Sequence, residues 1–336
     1  MMKTEDNQVS LVSVIIPVFN GNSFIRDAYN IILKQNLLKF EIIFVDNNST
    51  DDSLKIINDI IKKDSRVSLY KEFTQGAASA RNKGLNNSKG DFIYFFDVDD
   101  ELFDNALKSL LEILINDYGL DSVHGNILKS NIKLRQLKNI PVSTNKLTIP
   151  APYYWGIRWM NYGTLPGTPS FLHRKRVFSK VGNFNTQLKL GEDAAFHVKL
   201  GMECKIAHID KNILLYYRHQ KSTVSNQNKK QAKVFTYWEP LILEHIPYMI
   251  THEVPLAFKI EVLKRVYAYI PKMLALTEGL SHRRQLKNKL LTEIKPLKIP
   301  VFLGMFHSLI SITGSLDLYK FYAYYVLSYY IKYFIK

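Results

Sequence analysis

The chain has 336 residues, 46% of them hydrophobic and 22% charged. That composition excludes a disordered or fibrous chain and leaves room for one large or two modest domains with a full core. A single cysteine, Cys204, excludes an internal disulfide and fits a reducing compartment, and the net charge of +15 is unevenly spread, at −2 over residues 1–100, +7 over 101–220 and +10 over 221–336.

A positive field of that kind would attract nucleic acid, an anionic membrane face or an anionic polymer, or would simply keep the surface solvated. The first ten residues, MMKTEDNQVS, are polar, so no secretory leader is expected. No Walker-type glycine loop, dinucleotide-binding glycine fingerprint or HExxH motif occurs.

Strand and helix signals alternate over the first 130 residues. Residues 11–16 are predicted as a strand, 17–22 as a turn, and the following amphipathic stretch as a helix to about Gln35. A second strand is predicted over 41–45. The turn Asp46-Asn-Asn-Ser-Thr-Asp-Asp52 ends in helix-capping chemistry, with a helix to about Lys63. A strand over 66–71, a helix over 76–86 and a strand over 91–96 come next. A helix near 103–117 then leads into a strand near 121–127. This alternation predicts an α/β fold with a parallel sheet and helices on both faces.

The fourth strand runs straight into Asp97-Val-Asp99-Asp100. Three carboxylates this close cannot all stay ionised in a folded chain without a positive partner. A hard divalent cation, Mg²⁺ or Mn²⁺, meets that need through oxygen ligands, and open α/β sheets place ligands at this C-terminal edge. An Asp-rich turn is otherwise a solvated loop. No cluster of His and Cys suggests zinc.

Val14-Ile-Ile-Pro-Val-Phe-Asn20, Val45-Asp-Asn-Asn-Ser-Thr-Asp-Asp52, Gly76-Ala-Ala-Ser-Ala-Arg-Asn82 and Phe96-Asp-Val-Asp-Asp100 follow one another in the loops after the strands. Together they resemble the successive signatures of family-2 glycosyltransferases, nucleotide-sugar-dependent enzymes of the GT-A fold. Residues 167–174, 181–184 and 191–196 resemble the acceptor-side half of the same domain. The resemblance covers residues 10–225, with 10–127 as the nucleotide-sugar half and 128–225 as the acceptor half. A helical, basic and aromatic region at 226–336 lies outside it.

Carried over by residue, the resemblance implies that Pro17, Phe19, Asn20, Asp46, Asn48, Gly76, Arg81, Asp97, Val98 and Arg218 line the donor site. Asp46 would accept from the uracil N–H, which favours a UDP-sugar, and Arg81 would reach the base or a phosphate. Asp99 would hold the metal directly, with Asp97 sharing it or touching the ribose and His219 completing its shell or donating to a phosphate. Asp100 reads as supporting structure. Asp193 would be the catalytic base with Glu192 beside it; a structural reading of this pair is a favourable helix N-terminus. A single displacement by the acceptor hydroxyl inverts the anomeric centre.

Trp155, Arg158 and Trp159 lie in an aromatic run, 153–162, that reads either as an acceptor-binding platform or as interior packing. Residues 128–150 are basic and poorly periodic, as in a surface loop. Helices are predicted near 230–246, 256–277 and 282–294. Residues 299–316 carry no charged side chain, yet Pro300, Gly304 and His307 argue against a membrane span. The tail, 319–334, mixes tyrosine with lysine, which suits a membrane interface, a packed helix or a subunit contact.

These readings predict an inverting, metal-dependent transferase of a hexosyl or N-acetylhexosaminyl group. Its donor would be a nucleotide sugar and its acceptor a glycan or lipid-linked glycan in bacterial-type surface polysaccharide synthesis. No nucleic-acid partner is expected, and a homo-oligomer is compatible with the sequence. The expected location is cytoplasmic, either free or peripheral on the inner face of the cytoplasmic membrane. The alternatives are a sugar nucleotidyltransferase, which would want a lysine-bearing triphosphate loop that Pro17–Asn22 lacks, and a non-catalytic binding protein.

Overall fold

The computed structural model describes residues 11–161, 164–218 and 237–335. Two compact units divide the chain, Met1–Phe235 and Thr236–Lys336.

The first unit is built on one mixed sheet. Strands β1 (Val12–Val18), β2 (Phe40–Asp46), β3 (Val67–Lys71) and β4 (Phe92–Phe95) pair in parallel in the order β3-β2-β1-β4. The β1, β2 and β4 sequences show no polar alternation because helices cover both faces, and Ile15, Ile16, Ile42 and Ile43 are fully buried. Each such side chain contributes roughly 1.5–3 kcal/mol by leaving water.

The crossovers are α1 (Ile25–Leu33), α2 (Ser53–Ile61) and α3 (Ala77–Asn86). Helix α3 lies so close to the sheet that a Cβ at Gly84 would come within 2.3 Å of the Ile15 side chain, so only glycine fits there.

Beyond β4 the sheet departs from the predicted parallel pattern. The chain continues through β5 (Glu101–Leu102), α4 (Ala106–Asn116) and β6 (Ser122–Ser130). It then passes β7 (Leu147–Thr148) and α5 (Tyr154–Trp159) to reach β8 (Phe171–Arg174). Strand β8 inserts antiparallel between β4 and β6. Among the described residues of the connection from β6 the only α-helix is the six-residue α5, too short for a usual crossover, and β8 runs against its neighbours. Helices α6 (Val177–Val181) and α7 (Glu192–Glu203) lead to β9 (Ile206–Tyr217), parallel to β6 and antiparallel to β5 and β7.

The second unit is helical. Its first stretch, α8, runs through Trp238–Pro240, a π turn at Leu241–His245, and Ile246–Thr251. Helix α9 (Leu256–Leu276) buries Phe258, Val262, Val266, Ile270 and Leu274, a stripe of four-residue spacing. Helices α10 (Leu280–Glu293) and α11 (Val301–Thr313) follow. The last helix, α12, spans Leu316–Phe321, a π turn at Tyr322–Val326, and Leu327–Phe334.

Tyr322 anchors this last helix: its hydroxyl donates to the Tyr267 carbonyl at 3.1 Å and lies 3.0 Å from His307 Nε2. Among the described residues, no helix is long and apolar enough to cross a membrane.

Candidate active site at the C-terminal edge of the sheet

The ends of β1, β2 and β4 open onto one edge, and the loops that follow them are tied to each other. Asp46 ends β2 and is buried, with Oδ1 accepting from the Ser49 amide at 3.3 Å. Asn20 takes a left-handed φ of 51°, and its side-chain oxygen accepts from the Thr50 amide at 2.8 Å. The Gly21 amide donates to Ser53 Oγ, and that of Asn22 to Asp51. The loops after β1 and β2 are therefore one hydrogen-bonded body. Pro17 is half-buried at the end of β1, and Phe19 stands 55% exposed beside it, open to a flat ligand.

Asn47, which the sequence reading did not single out, organises the third loop. Its amide donates to the carbonyls of Glu72 and Thr74, both at 2.8 Å, and its oxygen accepts from the Gly76 amide at 2.7 Å. Gly76 has φ of 138°, a conformation only glycine adopts readily, and begins α3. Asn48, at φ 67°, donates to the Phe73 carbonyl. An asparagine directly after a strand-ending aspartate, in a turn-forming run, was the available signal.

Arg81 projects from α3 and is 6% exposed. Its guanidinium donates to Asp97 at 3.0 Å and to Glu192 at 3.2 Å, and lies over the Phe184 ring. The sequence reading aimed Arg81 at a base or phosphate; the structure engages it with two carboxylates. A charge this buried is stable only when paired, and the pairs hold it firmly protonated. Arg81 thus connects the acidic turn after β4 with the start of α7.

In that turn Asp97, Val98 and Asp99 are partly exposed, whereas Asp100 is buried. Asp100 Oδ1 accepts from the Tyr217 amide at 3.2 Å, and its Oδ2 has no hydrogen-bond partner among the described residues. Burial, reinforced by Asp97 and Asp99, raises its pKa well above the usual carboxylate range. The Tyr217 bond also brings the end of β9, and Arg218 after it, to the acidic turn; the Arg218 side chain is exposed. His219 lies outside the described residues.

Asp97 and Asp99 are hard oxygen donors at an accessible edge, which suits Mg²⁺ or Mn²⁺. Among the described residues no set of three His, Cys, Asp or Glu side chains forms a metal cage. Two carboxylates, water and ligand phosphates are the usual Mg²⁺ environment, so the residues fit a shared cation and not a closed structural site.

Glu192 and Asp193 occupy the first turn of α7, after Gly191 at φ 79°. Asp193 Oδ1 accepts from the Ala194 amide at 2.7 Å. Burial raises both carboxyl pKa values; Asp193 adds to the rise at Glu192, and Arg81 opposes it at both. A carboxylate whose proton affinity is raised in this way is better suited to accept a proton than an ordinary surface carboxylate.

The aromatic run resolves differently. Trp159 is fully buried against His124 and Phe171, and Trp155 stacks on it at 5.2 Å while donating its indole N–H to the Ile206 carbonyl. Trp159 is therefore interior packing, with no open face left for a sugar ring, whereas Trp155 keeps part of its surface exposed. Arg158 remains exposed, 6.0 Å over the Tyr154 ring.

Residues 13–180 match the sequence profile of glycosyl transferase family 2. An uncharacterized glycosyltransferase of Haemophilus influenzae is 37% identical over 134 residues, 40% of this chain and 53% of that protein. The GalNAc(5)-diNAcBac-PP-undecaprenol beta-1,3-glucosyltransferase of Campylobacter jejuni is 34% identical over 119 residues, 35% of this chain and 38% of that protein. The matched region thus spans about half or less of these two relatives. The fold is similar to that of residues 1–349 of TarS from S. aureus, solved with UDP-GlcNAc, at a TM-score of 0.65 and 18% identity over 96% of this chain and 91% of that one. A profile match over half the chain, falling on the loops that gather at this edge, makes the chain a member of glycosyl transferase family 2.

Proposed function

We propose that the first unit transfers a sugar from a nucleotide donor, a UDP-sugar, to a hydroxyl of a glycan or lipid-linked glycan, with inversion at the anomeric carbon. The observation that carries this reading is the convergence of Asp46, Asp97 and Glu192 on one sheet edge, with Arg81 joining the last two. Asp46 offers an acceptor to an imide N–H, and exposed Phe19 offers a ring to a base. Asp97 and Asp99 would hold a divalent cation, which when bound neutralises charge on the diphosphate. Asp193 takes the acceptor proton, and Glu192 is its neighbour, held by Arg81. Exposed Arg218 and Arg158 supply positive charge for phosphate and acceptor respectively.

The UDP-GlcNAc bound by TarS supports the donor class, and the undecaprenol-linked substrate named for the Campylobacter relative supports the acceptor class. A lipid-linked acceptor would be met by peripheral attachment at the inner face of the cytoplasmic membrane, in surface polysaccharide synthesis. The test is a screen of sugar nucleotides by nucleotide release, with and without Mn²⁺. Release from one UDP-sugar above all others, dependent on the cation, is the expected result; release from none would end the reading.

A further inference from the structure

The second unit exposes an apolar face that its own core does not use. Helix α11 buries Leu303, His307 and Ile310 and turns outward Phe302, Met305, Leu309 and Ile312, which are 46–66% exposed. These four follow helical spacing, so they form one continuous row. Helix α12 does the same: Tyr322, Val326 and Leu327 are buried, while Phe321, Tyr325, Tyr329 and Tyr333 are 50–68% exposed. The rings of Phe321 and Tyr325 meet at 5.5 Å, and those of Tyr329 and Tyr333 at 4.7 Å.

A spacing of four overshoots a turn of about 3.6 residues, so such a row would spiral around an α-helix. The wider π turn at Tyr322–Val326 compensates that drift and keeps the aromatic row on one side. A turn of this kind, held from within by the buried Tyr322 hydroxyl, serves the outward face as much as the inward one.

The surrounding charge is predominantly positive. Between residues 295 and 335 the basic groups are Lys295, Lys298, Lys320 and Lys332, all exposed, and the lone acid, Asp317, is paired with Lys320 at 3.0 Å. Lys332 lies 5.0 Å over the Tyr333 ring. Apolar rows, tyrosine rings with hydroxyls for the headgroup layer, and an excess of exposed lysines make up the chemistry of a helix lying in an anionic interface.

We infer that α11 and α12 form a docking face for an anionic lipid surface, entered to headgroup depth without spanning. This deepens the peripheral-membrane reading above and rests on it.

The experiment is co-sedimentation of the full chain with vesicles of phosphatidylcholine alone or with phosphatidylglycerol added, at low and high salt. Its variants are Met305→Glu with Ile312→Glu, Tyr325→Ser with Tyr329→Ser, and Lys320→Gln with Lys332→Gln. All six side chains are exposed, and unchanged thermal unfolding confirms folding of each variant. The expected result is binding to the anionic vesicles that weakens with salt, reduced about tenfold or more by each apolar pair. The lysine pair should lose up to about fivefold per charge and show a shallower salt dependence.

A wild-type chain that stays off every vesicle would sink the membrane reading itself. Wild-type binding that none of the variants weakens would leave that reading and overturn this face. Loss of a dimer in the apolar variants, with vesicle binding unchanged, would overturn it in favour of a contact between two copies.

Discussion

Arg81 and Glu192 lie 111 positions apart in sequence and 3.2 Å apart in space. Their contact ties a helix of the parallel half of the sheet to the helix that carries the proposed base. Since the same guanidinium also holds Asp97, the charge of the acidic turn and the charge of the α7 terminus share one counterion.

Removing that counterion should be costly. Arg81→Ala leaves two carboxylates facing each other without compensation, and a loss of about 3 kcal/mol in unfolding free energy is expected. The lower end of the usual range applies because the Asp97 side chain keeps 34% of its surface exposed. Chemical denaturation would measure it. Arg81→Lys, with its single ammonium, should recover part of the stability but not satisfy both partners at once.

Asp193→Asn retains shape but cannot take a proton, so transfer should drop on the order of 10²-fold or more while donor affinity stays nearly constant. In the wild type the raised Asp193 pKa sets the sign of the pH dependence. The base must be ionised, so activity is lost as pH falls through that raised value, above the range of an ordinary aspartate. A rate profile measured with saturating donor would reveal the acid limb. Joint loss of nucleotide affinity and transfer in the variant would reassign Asp193 to structure.

Asp99 stands partly exposed in the acidic turn. Asp99→Asn should nearly abolish turnover with thermal unfolding unchanged, and EDTA should silence the wild type until Mn²⁺ is restored. Activity that persists in EDTA would remove the cation from the proposed reaction.

Three buried histidines, His124, His173 and His197, surround Phe171 at 4.8, 5.4 and 4.6 Å between ring centres. Burial lowers all three pKa values, that of His173 to about 3. A histidine depressed in the folded state takes up protons on unfolding, so stability should fall as pH drops below the unfolded value of about 6.5. The raised carboxyl groups of Asp100, Glu192 and Asp193 oppose this trend at lower pH. Urea titrations at pH 7.5 and 5.5 would measure the slope, and His197→Gln should flatten it. An unchanged slope in that variant would show that His197 does not contribute.

Much of the fold was legible because β1, β2 and β4 are largely apolar runs, interrupted only by Ser13 and Glu41 and ending in turn residues, a pattern with few other solutions. The acidic turn was legible because carboxylates that close require an explanation wherever they fall. The direction of β8 was not, since a four-residue strand with three buried residues looks alike in either orientation. The burial of Trp159 was not legible, because an i,i+4 aromatic pair marks a helix face without saying whether that face looks inward. Arg81 was legible as a site residue, but its partners depend on a contact that only the closed sheet creates. The histidines were silent for the same reason: they are scattered in sequence and meet only around Phe171.

The Arg81 contact also bears on engineering. A chimera could join residues up to α4 of this chain to residues after β8 of a relative. In this chain such a seam would separate Arg81 from Glu192, so a graft from a relative with a different residue at either place would join two portions of mismatched charge. Residues 81 and 192 should therefore be exchanged as a pair or kept as a pair, however freely the mostly exposed segment between β6 and β7 is redesigned.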